Sequence, residues 1–311
     1  MPFFSIIIPL FNKEKFIEDT LNSILNQTFS DFEIIVVDDG STDQSLDLVS
    51  KYKDERLQII TQKNAGVSIA RNNGIKAANG DYIALLDADD YWYNDHLFEL
   101  NKLINLFPDA GLYCNNYEVF YNKEFKQKAQ FNFKFNEDCL IVKDYFKASI
   151  INSVAWTSAV AFSKENFNSI GGFTEKFTGA EDLDLWIRFA LKLKIAFNPA
   201  LTMSYKLYVT ESLSKNEFNA MRYDFINNFQ KEEKTNASLK LYLDKNRYAV
   251  ALRSKINGHS EIYKKLKSEI DYSNLNLKQK LLLNLPSFLI NLAKDFQIYL
   301  IKHRIYYTAF K

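Results

Sequence analysis

The run Tyr82-Ile83-Ala84-Leu85-Leu86 passes without a break into Asp87-Ala88-Asp89-Asp90. Few arrangements can bury the first half while neutralising the second. A short, wholly apolar run of this kind predicts a central parallel strand, covered on both faces. The acids then stand at its carboxyl end, where open α/β sheets bind ligands. Three carboxylates within four positions repel one another unless a cation or a set of donors neutralises them. Hard oxygen ligands of this kind suit Mg²⁺ or Mn²⁺ bridging to a substrate diphosphate. A solvated acidic turn is the bland alternative, and the rest of the chain argues against it.

A second short apolar run, Glu33 to Val37, enters Asp38-Asp39-Gly40-Ser41-Thr42-Asp43. It is rich in β-branched residues, so strand is favoured over helix. Gly40 permits a tight turn, and Ser41, Thr42 or Asp43 can cap a helix running through Leu46 and Val49. Ser5 to Leu10 has the same form and precedes helical spacing from Glu14 to Leu25. Leu57 to Thr61 predicts a further strand, Ser68 to Ala78 a helix, and Asn94 to Phe107 a helix ended by Pro108. Leu112 to Phe120 and Ala159 to Phe162 read as later strands, Glu181 to Leu193 as an amphipathic helix, and the chain from Phe218 onward as almost wholly helical. The stretch from Tyr121 to Glu137 carries no clear period. Strands alternating with helices bring the two acidic clusters to one edge of one parallel sheet. That is the geometry of a nucleotide site with a metal.

The segments Ser5 to Asn12, Val36 to Asp43, Asn64 to Gly74 and Leu86 to Asp90 resemble those of the family 2 inverting glycosyltransferases. Gly171-Gly172-Phe173 followed by Gly179 to Arg188 is similar to that family's acceptor-side loop and its Glu-Asp helix. The resemblance spans roughly residues 3 to 210, and the order of five motifs makes it specific. It implies an α/β GT-A fold, with a Rossmann-like, mostly parallel central sheet and flanking helices. The expected organisation is a nucleotide-sugar-binding and catalytic domain at 1–215 and a helical C-terminal extension at 216–311, membrane-associating or dimerising.

The same resemblance assigns roles. Asp89, helped by Asp87, would hold Mn²⁺ or Mg²⁺ against the leaving diphosphate, with Asp87 also near the ribose, while Asp90 either caps the next turn or joins the metal. Asp39 would meet the uracil ring. Pro9 and Phe11 would flank base or ribose, and Asn64, Ala88 and Arg71 would complete the nucleotide site, the guanidinium reaching a phosphate by its fork. Asp182, at a helix start, would be the general base, kept ionised by the helix dipole. First-turn acids also occur simply as caps, and that reading stays open. Glu181 would orient the acceptor, as would Gly172 and Trp186, the latter either stacked on a sugar or packed in the core. The implied function is metal-dependent inverting transfer of one sugar from a UDP-hexose or UDP-N-acetylhexosamine. The acceptor would be a hydroxyl of a glycan or lipid-linked molecule, in bacterial surface polysaccharide or glycoconjugate synthesis. Processive members carry Gln-x-x-Arg-Trp and membrane helices, and this chain has neither. A catalytically silent, sugar-nucleotide-binding scaffold is the competing function. A nucleotidyltransferase would need glycines where Phe11-Asn12-Lys13-Glu14 stands.

A net charge of +1 argues against nucleic acid as a partner. Cys114 and Cys139 lack metal-ligand or CxxC spacing, which suits reduced thiols in a cytoplasmic protein. The chain enters a strand almost at once, so no signal peptide is expected. His96, His259 and His303 have no partner spacing. From Leu275 to Lys311, aromatic and aliphatic residues alternate with Lys278, Lys280, Lys294, Lys302, Arg304 and Lys311 against Asp295 alone. That pattern describes an interfacial helix at the inner leaflet, or one packed on the catalytic domain or on a second copy in a homodimer.

Overall fold

A computed structural model describes residues 1–177, 179–209 and 219–310. In chain order the elements begin with β1 (Phe4–Leu10), α1 (Ile17–Leu25), β2 (Phe32–Asp38), α2 (Ser45–Ser50), β3 (Leu57–Thr61), α3 (Val67–Ala77) and β4 (Tyr82–Leu85). Next come β5 (Tyr91–Trp92), α4 (His96–Leu106), β6 (Leu112–Phe120), β7 (Lys126–Lys128), β8 (Leu140–Ile141), α5 (Tyr145–Ala148), β9 (Val160–Ser163) and α6 (Lys164–Ile170). The chain continues with α7 (Glu181–Lys192), β10 (Ile195–Lys206), α8 (Asn219–Asn227), α9 (Ala237–Ile256), α10 (Ser260–Glu269), α11 (Leu277–Asn284) and α12 (Ser287–Lys302).

One sheet runs β3-β2-β1-β4-β9-β6-β10-β5, with β7 on β6 and β8 on β10. The first four strands are parallel, β9 inserts antiparallel between β4 and β6, and β10 is parallel to β6. The mixed α/β sheet with flanking helices is the expected GT-A architecture. Ile6, Ile7, Ile8, Ile35, Val36 and Leu85 are all fully buried, because helices cover both faces of these central strands. Gly74 lets α3 lie close on the sheet, since a Cβ there would stand 2.6 Å from Ile7 Cγ2. Register does the rest. Leu10 pairs with Asp38 and Ile7 with Leu85, so Asp39 and Asp87-Ala88-Asp89 emerge along the same sheet edge.

The strand β10 is absent from the sequence reading, because Asn198-Pro199-Ala200 interrupts its apolar pattern. The structure accommodates the proline at a bulge: the pairing with β6 shifts register between Asn198 and Leu201 and again before Met203. Within Tyr121 to Glu137 only the short edge strand β7 forms.

The C-terminal helices are docked rather than separate. Arg247 of α9 is buried and pairs with both carboxylate oxygens of Glu233, at 2.8 and 2.9 Å, and with Asp244 at 3.0 Å. Ser238 donates to Asp144 at 2.7 Å, and Phe225 of α8 meets Phe177 edge to face. The expected boundary at 215/216 lies outside the described residues.

Candidate active site

The β1–α1 and β2–α2 loops are stitched together before any ligand arrives. Asn12 N–H donates to Ser41 Oγ, Lys13 N–H to Ser45 Oγ at 2.7 Å and Glu14 N–H to Asp43. In return Gln44 N–H donates to Glu14 and Thr42 N–H to Asn12. Asp43 also accepts from the N–H of Ser45, the first residue of α2, but the N-cap position falls to Gln44 with no side-chain cap, so none of Ser41, Thr42 and Asp43 is the expected cap.

This edge opens into a cavity of about 960 Å³, at the upper end of small-molecule sites. Pro9, Phe11, Asp39, Asn64, Arg71, Asp87, Ala88, Asp89, Glu181 and Asp182 all line it, so most of the residues singled out from sequence converge. Gly172 and Trp186 do not. Trp186 is fully buried against Phe162, Phe173 and Phe189, so it is a core residue and cannot stack on a sugar. Gly172 adopts φ +70° and its carbonyl accepts from Arg188 at 2.7 Å. Asn72 grips the neighbouring Phe173 through both its backbone groups. The glycine loop therefore braces α3 and α7, and Gly172 lies outside the cavity lining.

Arg71 is the hub. The residue is 3% exposed, and its guanidinium donates to Asp87 at 2.7 Å and to Glu181 at 2.8 Å and lies 5.2 Å from the Phe173 ring centre. Burial would weaken its charge, but the carboxylates of Asp87 and Glu181 more than offset that and strengthen it. Its fork thus faces two carboxylates, where the sequence reading had it reaching a phosphate. One buried cation ties the acidic end of β4 to the start of α7.

Asp39 likewise does more than the sequence implied. Its two oxygens accept from Ala65 N–H and Gly66 N–H, each at 2.8 Å, and from Gln62 Nε2 at 2.7 Å. It therefore sets the loop carrying Asn64 while facing the cavity. Asp90 is buried away from the site. Ser158 Oγ donates to it at 2.5 Å, and burial together with Asp89 and Asp87 raises its carboxyl well above the usual range. Ser158 also accepts from Asp87 N–H and, through its carbonyl, from Trp92 Nε1. It is the clamp that holds the acidic turn, and no sequence pattern marked it.

At the start of α7, Ala180 is left-handed at φ +79°, a strained backbone for a residue with a Cβ. Asp182 accepts from Leu183 N–H at 2.8 Å and from Thr157 Oγ1 at 3.4 Å. The dipole argument predicted a readily ionised carboxylate. Desolvation wins instead and raises Asp182, with Arg71 pulling the other way. Burial and the neighbouring Asp182 push Glu181 up to about 6. A carboxylate whose affinity for a proton is raised toward neutral pH is better suited to accept one from a hydroxyl.

The cavity's aromatic wall is Trp156, tilted against Tyr205 with ring centres 4.4 Å apart. His96 is buried on Trp92, and burial lowers it to about 3, so it is a neutral core histidine. Both cysteines are free thiols.

The donor set fits a divalent ion. Asp87 and Asp89 are hard oxygen ligands in the cavity wall, and each commits one oxygen to a cationic side chain, Asp89 to Lys13 Nζ at 2.6 Å. An ammonium thus already occupies a cation position beside Asp89. Among the described residues no group of three or more acidic, histidine or cysteine ligands converges. An ion here would therefore take one or two carboxylates and fill its shell with substrate oxygens.

The family model of Glycosyl transferase family 2 matches residues 5–171. The glycosyltransferase EpsJ of Bacillus subtilis, itself uncharacterised, is 50% identical over 93 residues, 29% of this chain and 27% of that protein. TuaG of the same organism, a glycosyltransferase named for teichuronic acid biosynthesis, is 41% identical over 99 residues, 31% of this chain and 39% of its own. This chain thus spans well under two thirds of either relative. Among solved structures, Staphylococcus aureus TarS residues 1–349 in complex with UDP-GlcNAc superposes with a TM-score of 0.66 at 20% identity, over 87% of this chain and 82% of that one.

Proposed function

We propose that this chain, which belongs to glycosyl transferase family 2, moves one sugar from a UDP-sugar to a hydroxyl of a surface-glycan acceptor with inversion at C1. The observation that carries this reading is the Arg71 bridge: it holds the Asp87–Asp89 edge and the Glu181–Asp182 helix start in the wall of one cavity. UDP-GlcNAc in the TarS complex and the name of TuaG support a UDP-sugar donor and a polysaccharide product.

In this reading Pro9, Phe11, Asp39 and Asn64 receive the nucleoside, and Asp87 and Asp89 would hold Mn²⁺ or Mg²⁺. Such an ion, when bound, supplies Lewis-acid neutralisation of the departing diphosphate. Asp182 takes the proton of the acceptor hydroxyl as its oxygen attacks C1, and the C1–oxygen bond to the diphosphate breaks on the opposite face. Glu181, fixed by Arg71, orients the acceptor beside Asp182. Trp156 offers the flat apolar surface on which a hexose ring can rest. The division at 215/216 into a catalytic domain and a helical extension belongs to the same proposal.

The α12 helix supports a location. Phe288, Leu292, Phe296 and Tyr299 form one exposed stripe along it, with Lys294 and Lys302 alongside. We place this stripe on the anionic cytoplasmic face of a membrane, where a lipid-linked acceptor would be presented. Among the described residues no helix is long and apolar enough to cross a membrane.

The decisive experiment measures UDP release and transfer from UDP-GlcNAc, with and without Mn²⁺, in the wild type and in Asp182→Asn. Loss of a general base is worth about 10²- to 10⁴-fold in rate, so the variant should lose that much transfer while binding UDP normally. Near-normal transfer by Asp182→Asn would reduce the carboxylate to a helix cap. Wild-type transfer unchanged by EDTA would remove the metal. Absence of UDP release in every condition would favour a silent binding protein.

A further inference from the structure

Behind Asp39 stands a chain of two amides to which the nucleotide site gives no role. Asp39 follows the end of β2 and Gln62 the end of β3, neighbouring parallel strands in which Asp38 pairs with Thr61. Gln62 N–H donates to the Asp38 carbonyl at 2.9 Å, which brings the two side chains alongside each other. Gln62 Nε2 then donates to Asp39 Oδ1 at 2.7 Å, and Gln62 Oε1 accepts from Asn73 Nδ2 of α3, also at 2.7 Å. Asp39 is 4% exposed and lines the cavity, whereas Gln62 and Asn73 lie outside its lining.

Chemistry fixes the direction of this chain. An ionised carboxylate only accepts, so the NH₂ end of Gln62 must face Asp39. Its oxygen is then turned away, and Asn73 meets it with a donor. Turning the Gln62 amide over would set Oε1 against Asp39 Oδ1 and lose both bonds. The acceptor count follows from the same contacts. A carboxylate has about four lone-pair sites. Oδ1 receives Gln62 Nε2 and Ala65 N–H, and Oδ2 receives Gly66 N–H. That leaves roughly one site, on Oδ2, and it can only accept. A base that turns a ring N–H toward it, as uracil does with N3–H, completes the set. Cytosine has a lone pair at the same ring nitrogen and would set acceptor against acceptor. Ala65 and Gly66 bind through the backbone, so Gln62 supplies the side-chain donor that settles which oxygen remains open.

We propose that Gln62, held by Asn73, is a positioning residue for nucleobase selectivity. It fills Oδ1 of Asp39 and leaves Oδ2 as a single acceptor, which takes a ring N–H and repels a ring-nitrogen lone pair. This rests on the nucleotide-sugar reading above and deepens it, because the donor's base is selected partly by amides that do not line the cavity. Asn73 is exposed on α3, and its side chain reaches Asp39 through Gln62.

The test titrates the full chain calorimetrically with UDP, CDP and inorganic pyrophosphate, in wild type, Gln62→Leu and Asn73→Asp. UDP and CDP differ only on the edge of the base that carries N3. The wild type should bind UDP about tenfold or more tighter than CDP. Gln62→Leu should lose most of that preference, chiefly through weaker UDP binding, with pyrophosphate affinity unchanged. Asn73→Asp is nearly isosteric and lies at the surface, yet it places a carboxylate at each end of one amide. The NH₂ group of Gln62 is then drawn from Asp39, and the preference for UDP should shrink in the same sense. Equal loss of UDP and CDP affinity in Gln62→Leu would overturn the proposal, because the side chain would then only support its loop. So would a wild type that binds UDP and CDP alike, or an Asn73→Asp protein with the wild-type preference. Transfer from UDP-GlcNAc, measured on the same samples, separates this proposal from the one it rests on. A Gln62-dependent preference without transfer removes the transferase reading and leaves base selection standing, whereas transfer with an unmoved preference does the reverse. The circular dichroism spectrum of each variant reports whether it folds, and Asn73→Asp carries the test if Gln62→Leu does not.

Discussion

Replacing Arg71 by methionine would keep an apolar stem of similar length and remove the charge that joins two walls of the site. The change leaves Glu181 buried at 8% exposure with its partner gone. Its carboxyl, held at about 6 in the folded protein, has an ordinary value of 4.5. Arg71 is one of the influences holding it down, so in the variant it rises further. The sign follows. Between its unfolded and folded values the native carboxyl binds more proton than the unfolded one, so stability falls as pH climbs across that interval. In the wild type the fall ends near pH 6. In Arg71→Met it continues above pH 6, at a limiting slope between about 1 and 2 kcal/mol per pH unit. Below that window the variant still lacks charged hydrogen bonds, worth roughly 2 kcal/mol together with the exposed-side pair to Asp87, whose third-exposed side chain adds little. The expected loss is therefore about 2 kcal/mol at pH 6 and about 4 kcal/mol at pH 8. Urea denaturation followed by far-ultraviolet circular dichroism at both pH values measures it, provided the m-value is unchanged. A destabilisation that is equal at the two pH values, or larger at pH 6, would refute the claim that Arg71 holds a buried carboxylate ionised.

Trp156→Ala should raise the KM for donor or acceptor by about tenfold with little change in stability. Trp186→Ala should instead destabilise the fold by about 3–5 kcal/mol, as a filled core position does when emptied; unfolding curves and kinetics on the two variants distinguish a sugar platform from a core residue. In a pH profile of kcat/KM, the acid limb should lie above the ordinary carboxylate range, because burial raises Asp182 and the base works only when deprotonated; a flat profile down to pH 5 would exclude it as base. Changing Phe288, Leu292 and Phe296 together to serine should abolish binding to anionic vesicles, and added salt should weaken binding of the wild type. If vesicle binding is unaltered while a dimer dissociates on gel filtration, the stripe is a contact between copies.

What the chain declared in its own letters was the donor half of the protein. A strand buried on both faces must be apolar throughout, and parallel strands all end on one side, so Ile6 to Leu10, Glu33 to Val37 and Tyr82 to Leu86 announced the sheet and Asp39, Asp87 and Asp89 its working edge. Those are consequences of local pattern and chain direction. Burial and partnership are not local. Trp156 and Trp186 look alike as letters, yet one lines the cavity and the other is enclosed by Phe162, Phe173 and Phe189. Asp182 and Asp90 are ordinary acids until surrounding elements desolvate them, and Arg71 is an ordinary helix arginine until Asp87 and Glu181 arrive from 16 and 110 residues away. Pro199 hid a strand that the sheet could admit only at a bulge. Arg222 and Arg253, on two separate helices, face the same cavity only because α8 and α9 fold back over the sheet edge. Side-chain type and spacing determined which groups could do the chemistry. Tertiary packing decided which of them meet, because desolvation and pairing are properties of neighbours brought together by folding rather than by sequence.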